Sequence, residues 1–89
     1  MQILKYPFGL GVDKLMIPIH GRGVLSVGMD YDSKYCLWVE VDPEGISVPI
    51  DVISFGTGFI APDDDELQFV GTVIEGPYRW HVFVKRGGE

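Results

Sequence analysis

Cysteine is almost absent from this sequence, and so is any long apolar run. Its 89 residues include one cysteine, Cys36, which excludes an intrachain disulfide and therefore a small secreted scaffold held by such bridges. No apolar stretch approaches the roughly 18 residues of a membrane span, and no charged leader precedes an apolar segment and a cleavage site. These absences predict a soluble protein in a reducing intracellular compartment, without membrane association.

Positive charge is also scarce. Seven Lys and Arg stand against thirteen Asp and Glu, so the formal net charge is −6. Proteins that bind nucleic acid neutralise phosphates with a basic surface. We therefore expect no direct binding of DNA or RNA.

Helical periodicity is the third absence, because no segment spaces its apolar residues as an amphipathic helix does. Turn residues instead interrupt the chain at short intervals, and the segments between them are rich in Val, Ile, Tyr, Trp and Phe. A chain of 89 residues falls below the usual domain size of about 100–150 residues, so one domain over 1–89 is expected. The predicted fold is all-β, a small antiparallel sandwich or partly open barrel of about six to seven short strands. The predicted strands are 2–6, 14–20, 24–30, 35–41, 46–55, 67–75 and 78–85.

The turns between the strands predict how the strands connect. Hairpins are expected across 31–34 and across Gly76-Pro77, and a meander is the expected order of pairing. Pro18 and Pro49 lie inside predicted strands, and since proline donates no hydrogen bond, Pro18 marks an edge strand and Pro49 another edge strand or a bulge. Gly21-Arg22-Gly23 is expected to break the chain.

Two further segments are expected to lie outside the strands. Residues 59–66 form the longest predicted loop, with one helical turn starting at Pro62 or Asp63, and 86–89 form a flexible tail. Exposed strands of this apolarity can pair across a two-fold axis and extend the sheet, so a homodimer is expected.

Six short motifs follow one another along nearly the whole chain: Lys5-Tyr6-Pro7, Val24-Leu25-Ser26-Val27, Cys36-Leu37-Trp38 with Val41-Asp42-Pro43, Gly56-Thr57-Gly58, Val70-Gly71-Thr72 and His81-Val82-Phe83. In this order they resemble a family of small uncharacterised proteins of tailed bacteriophages and prophages. Where that family often carries His-Pro after Gly-Thr-Gly, this sequence has Phe59-Ile60. The resemblance implies a phage accessory protein in the cytoplasm of a bacterial host, and it implies no particular reaction.

Residues for catalysis or metal binding are few. Cys36, His20 and His81 are the only soft ligands, and they lie on three predicted strands without metal-site spacing. Cys36 lies in mid-strand, which favours a buried and inert thiol. No nucleophile, base and orienting group follow one another in a recognisable pattern. We therefore expect no catalytic residue, no metal and no cofactor.

The candidate binding residues are glycines, cations and aromatic side chains. Gly56-Thr57-Gly58 lacks the Lys and the following helix of a phosphate loop. Glycines at the corner between a strand and a loop are expected to adopt positive φ angles. They also allow a ligand to approach the backbone closely. Cations and an imidazole can hold an anion, while an exposed Trp can anchor an interface. The candidates are Arg22, Trp38, Gly56, Thr57, Gly58, Phe59, Arg79 and His81.

Three functions remain open at this stage. The first is a non-enzymatic accessory protein that binds a host protein, in host takeover or counter-defence. The second is an oligomeric protein that sequesters an anionic small molecule, such as a signalling nucleotide, at an interface lined by Arg22, Arg79 and the Gly-Thr-Gly loop. The third is a component of the virion or of its assembly.

Overall fold

The computed structural model describes residues 1–87, and these form seven β-strands and no helix. The all-β prediction is therefore confirmed. No helix that could span a membrane occurs in this part of the chain. The strands are β1 (Gln2–Pro7), β2 (Val12–Ile17), β3 (Ile19–Met29), β4 (Tyr35–Val41), β5 (Val48–Gly56), β6 (Gln68–Glu75) and β7 (Tyr78–Arg86).

The strands form two antiparallel sheets that pack face to face as a sandwich and do not close into a barrel. Sheet 1 has the order β1-β4-β3, and sheet 2 has the order β2-β5-β7-β6. The predicted hairpins β3–β4 and β6–β7 are both present. The predicted meander is wrong elsewhere, because β1 pairs with β4, β2 with β5 and β5 with β7. These pairings join strands that are distant in sequence.

The core lies between the sheets and follows the two-residue period of the strands. Leu37, Val39 and Val41 of β4 are buried toward sheet 2, where Val52 of β5 and Val82 of β7 are completely buried. At about 1.5–3 kcal/mol for each fully buried aliphatic side chain, this layer is the main source of stability.

Both strand prolines have positions that differ from their predictions. Pro18 lies between β2 and β3, where the chain passes from sheet 2 to sheet 1, so residues 14–20 are not one strand. β2 is nevertheless an edge strand, as predicted. Pro49 is in β5, which is an interior strand and not an edge. The β5–β7 ladder begins only at the next residue, Ile50, so the missing N–H of proline removes no bond within that ladder.

Gly21-Arg22-Gly23 does not break the chain but forms a large bulge within β3. The register advances five residues on β3, from Ile19 to Val24, against two on β4. Gly21 and Gly23 have positive φ angles of 58° and 74°, which L-residues other than glycine rarely adopt. The bulge wraps around the buried carboxylate of Glu40, whose Oε1 accepts a 3.3 Å hydrogen bond from the N–H of Arg22.

The β3–β4 hairpin is organised by Asp30. Its Oδ1 accepts hydrogen bonds from the N–H groups of Asp32 and Lys34, both at 2.9 Å, and its Oδ2 lies 2.9 Å from Nζ of Lys5 on β1. The N–H donor of Lys34 and the ammonium of Lys5 lower the pKa of Asp30 to about 2. A single carboxylate therefore joins the loop to the neighbouring edge strand.

Residues 59–66 are a loop without the predicted helical turn. The loop ends in a turn in which the N–H of Leu67 donates to the carbonyl of Asp64 at 3.1 Å. Oδ2 of Asp64 accepts a 2.9 Å hydrogen bond from Nζ of Lys85 on β7, so this carboxylate is used to hold the loop against sheet 2 and not to begin a helix.

The flexible tail predicted for 86–89 is wrong for its first two residues. Arg86 is the last residue of β7, and the N–H of Gly87 donates to the carbonyl of Pro49 at 2.8 Å. The other two residues of that predicted tail lie outside the described residues.

Candidate functional site

A cavity at one end of sheet 2 contains four of the eight predicted site residues. Its volume is about 610 Å³, within the range of about 300–1,000 Å³ that is usual for ligand pockets. One wall is the end of β5 and the following loop, with Gly56, Thr57 and Phe59, and the other is the β6–β7 hairpin, from which Arg79 is the predicted member. The hairpin also contributes Glu75, Pro77, Tyr78 and Trp80.

The hairpin turn explains why aromatic side chains meet here. Gly76 and Pro77 form a two-residue loop, and Gly76 has a φ of 55°. Glycine at the first position with a positive φ, followed by proline, fits a type II′ turn, whose twist matches that of the strands. The turn places Glu75 opposite Tyr78. Since side chains alternate along a strand, Tyr78 and Trp80 lie on one face.

Phe59 closes the other side of the cavity. Its ring is nearly perpendicular to that of Trp80, at 77° with centroids 5.9 Å apart, a favourable edge-to-face geometry. A Cβ at Gly56 would lie only 3.3 Å from Cε1 of Phe59. A side chain at position 56 would therefore require the exposed ring of Phe59 to move by a few tenths of an ångström. The positive φ predicted for these glycines is present at Gly58, at 89°, and absent at Gly56.

His81 connects the loop to two strands of sheet 2. Its Nε2 lies 2.8 Å from Oγ1 of Thr57, and its Nδ1 lies 3.1 Å from Oγ1 of Thr72 on β6. A hydroxyl, an imidazole and a further group also form the triads of hydrolases, but there a carboxylate stabilises the imidazolium. Here the third group is the neutral hydroxyl of Thr72. The arrangement is suited to holding Thr57 at the rim of the cavity.

A carboxylate lies beside the aromatic side chains of the cavity. Nε1 of Trp80 donates a 3.2 Å hydrogen bond to Oε1 of Glu75, which fixes both side chains. Arg79 also lines the cavity, but it follows Tyr78 on β7, so by the alternation of a strand its side chain leaves the opposite face from Tyr78 and Trp80. The site therefore combines aromatic walls with the carboxylate of Glu75.

Arg22 and Arg79 were expected to line one anion site. In this chain Arg79 lies near the start of β7, whereas Arg22, on β3, lies near the other end of β7. Arg22 lines a separate cavity of about 220 Å³ together with Lys85 and Arg86. Lys85 is six residues from Arg79, or about 20 Å at about 3.3 Å per residue. One protomer therefore does not bring the two arginines together.

Trp38 is also distant from the main cavity. It lies on the outer face of sheet 1, half-buried, with its ring against Gly28, on which a Cβ would be 3.6 Å from Cζ3 of the indole. Lys5 and Ser26 are its partners on the two neighbouring strands. Trp38 thus belongs to a different surface from Trp80.

Cys36 is completely buried on β4. Burial, together with the nearby negative charge of Asp30, raises the pKa of the Cys36 thiol, and a thiol that stays protonated is a poor nucleophile. Among residues 1–87, no three His, Cys, Asp or Glu side chains are grouped so as to hold a metal ion.

Comparison with known proteins assigns a family. A family model described as a domain of unknown function, DUF7352, matches residues 1–89. The chain belongs to this family. No curated protein and no solved structure matches this chain. For this DUF7352 member, the geometry of the cavity is therefore the main guide to function.

Sequence reasoning missed the hairpin half of the site. Glu75, Pro77 and Tyr78 entered the prediction only as parts of a hairpin, and Trp80 was not among the candidate binding residues. A signal was present, since Gly-Pro between an acid and an aromatic residue predicts a tight turn with both side chains on one face. The proximity of this turn to Phe59 depends on β5 pairing with β7, which local sequence does not encode.

Proposed function

We propose that this protein is a non-enzymatic phage accessory protein that binds a host protein in the bacterial cytoplasm, in host takeover or counter-defence. The observation that carries the proposal is the group of exposed apolar side chains around the cavity. Phe59 is 66% exposed, Ile60 98% and Tyr78 64%. Aromatic residues at protein surfaces are enriched in interfaces and dominate their binding energy.

The proposed partner presents an apolar side chain to the cavity. An apolar side chain of the host protein enters between Phe59, Tyr78 and Trp80, where it loses contact with water. Glu75 lies beside these rings and accepts hydrogen bonds from polar groups that flank the inserted side chain. This combination of an apolar centre and a polar rim is typical of protein interfaces.

The test is recovery of a host protein by tagged protein under infection conditions. The wild type is compared with Phe59→Ala and Ile60→Ser, both in the exposed loop. The control is Ile46→Ser, because Ile46 is 88% exposed in the β4–β5 connection. We expect a host protein that the wild type and the control retain and the loop variants lose. Retrieval of no such protein contradicts the proposal, and presence in purified particles would instead indicate a virion component.

A second candidate function is the binding of an anionic small molecule such as a signalling nucleotide. It is favoured by Arg79, one of the residues that line a cavity of about 610 Å³, since a guanidinium binds phosphate through paired hydrogen bonds. Thermal unfolding with a panel of nucleotides tests it. A rise in Tm that Arg79→Gln abolishes supports this function, and no response to any nucleotide opposes it.

A further inference from the structure

An apolar row crosses the outer face of sheet 2 from edge to edge. Val12 of β2 is opposite Ile53 of β5, Ile53 is opposite Phe83 of β7, and Phe83 is opposite Phe69 of β6. The neighbouring residues Val52 and Val82 face the core, so the row faces outward by the alternation of the strands. Each of the four strands contributes one member of the row.

The row is exposed and partly preassembled. Val12 is 80% exposed and Phe69 55%. The ring of Phe83 lies 5.3 Å from that of Phe69 and 5.8 Å from that of Phe55, centroid to centroid. Aromatic pairs that are already packed lose little conformational entropy on binding. A contiguous apolar face of this kind on a small protein marks an interaction surface.

The charges on this face are mostly paired within the chain. Nζ of Lys14 is 3.7 Å from Oδ1 of Asp51, and Nζ of Lys85 is 2.9 Å from Oδ2 of Asp64. With Arg79 the face holds three cations and two acids, although the whole chain has a net charge of −6. Two copies that meet through this face therefore keep most of their acidic groups apart, and like-charge repulsion is small.

The size of the face sets the strength of such a contact. Four strands at about 4.8 Å spacing and about eight residues at about 3.3 Å cover roughly 500 Å² in projection. Two copies together then bury on the order of 1,000 Å², which is near the lower limit for a specific interface. This area fits a dimer that forms reversibly.

We infer that the outer face of sheet 2 binds a second copy of this chain, sheet against sheet, about a two-fold axis. Stacked sheets pack about 10 Å apart with their strands nearly aligned, which joins the apolar rows of the two copies. This geometry differs from the expected pairing of edge strands, because it uses side chains and not the free backbone groups of β1 or β2.

Sedimentation equilibrium over a wide concentration range tests the dimer. We compare wild type with Val12→Lys and Phe69→Lys, each of which places an ammonium in the apolar row. Each change is expected to raise the dissociation constant of the dimer by roughly tenfold or more, since a buried unpaired charge is strongly unfavourable. Ile46→Lys, at an exposed site in the β4–β5 connection and outside the row, is expected to leave the constant unchanged.

The remaining outcomes overturn the inference. The inference is wrong if the wild type stays monomeric at the highest concentration. It is also wrong if the dimer dissociates no more readily in either variant of the row. A dimer broken only by Ile3→Lys, on the edge strand β1, indicates pairing of edge strands instead. Circular dichroism verifies that each variant is folded, and Val12→Ser, a milder change at a highly exposed position, replaces Val12→Lys if that variant fails to fold.

Discussion

Gly71 of β6 lies directly against Val27 of β3, where the two sheets approach each other. A Cβ on Gly71 would be only 2.8 Å from Cγ1 of Val27. We predict that Gly71→Ala lowers the free energy of unfolding by about 1–3 kcal/mol, the usual effect of overpacking. Urea unfolding measures this change.

A double-mutant cycle identifies the cause of that loss. Val27→Ala removes the methyl groups that Gly71→Ala would meet, so the double variant is expected to lose less stability than the sum of the two single changes. Strict additivity would show that the cost at position 71 has another origin.

The hydrogen bonds of His81 predict a local effect at the cavity. Thr57→Val removes the hydroxyl that holds the loop to Nε2, while Thr72→Val removes the equivalent hydroxyl at Nδ1 on β6. Each is expected to lower stability by at most about 1 kcal/mol. The N–H of Phe59, bonded to the carbonyl of Gly56, is expected to exchange with solvent faster in Thr57→Val only. Equal exchange rates in both variants would contradict the assigned role of Thr57.

Asp30 predicts a loss of stability in acid. Its pKa is about 2 in the folded protein, against about 3.9 in an unfolded chain. Below pH about 4 the unfolded state therefore binds more protons than the folded state, and stability falls as the pH falls toward 2. Asp64, whose pKa is lowered by Lys85, adds to the decline.

Urea unfolding at a series of pH values checks this prediction. Asp30→Asn is expected to be less stable at neutral pH and to show a shallower decline in acid. Asp32→Asn, in the same loop, leaves the Asp30 carboxylate in place and should retain the full decline. The prediction is wrong if the two variants have the same pH profile.

Ser33 has a positive φ of 63°, the only such angle at a non-glycine residue among those described. This conformation is unfavourable for L-residues and easy for glycine. Ser33→Gly is therefore expected to raise the free energy of unfolding by about 0.5–1 kcal/mol. Ser47→Gly, at an exposed position where φ is not positive, should have the opposite sign. Thermal unfolding of both variants compares them.

Local sequence predicted the strands and the two hairpins because alternation and turn chemistry act over a few residues. It did not predict that β5 lies between β2 and β7, because all these strands have similar apolar patterns and several partners satisfy them equally. The same limit applied to Gly21-Arg22-Gly23, where glycine indicated a break. The bulge that this segment forms instead depends on Glu40, which accepts a hydrogen bond from the N–H of Arg22, 18 residues earlier in the sequence.

Only part of the site was predicted, because local sequence does not determine which strands pair. The Gly-Thr-Gly loop and Phe59 were found because glycines and an aromatic residue in a predicted loop are visible in the sequence itself. Arg22 and Arg79 were joined in one hypothesis because both are cations on an acidic protein. Their separation along β7 follows from the position of the bulge, which only the three-dimensional pairing determines.

The central position of β7 also affects how the protein folds during synthesis. β5 and β6 are joined only through β7 in sheet 2. At about 5–20 residues per second, the ribosome completes the first six strands before residues 78–86 emerge. Until then, the edge of β5 that pairs with β7 in the folded protein is free, and this edge includes Ile50 and Val52. Folding of sheet 2 therefore follows translation of this segment, and a nascent chain that stalls before Tyr78 presents an unpaired strand to chaperones and proteases.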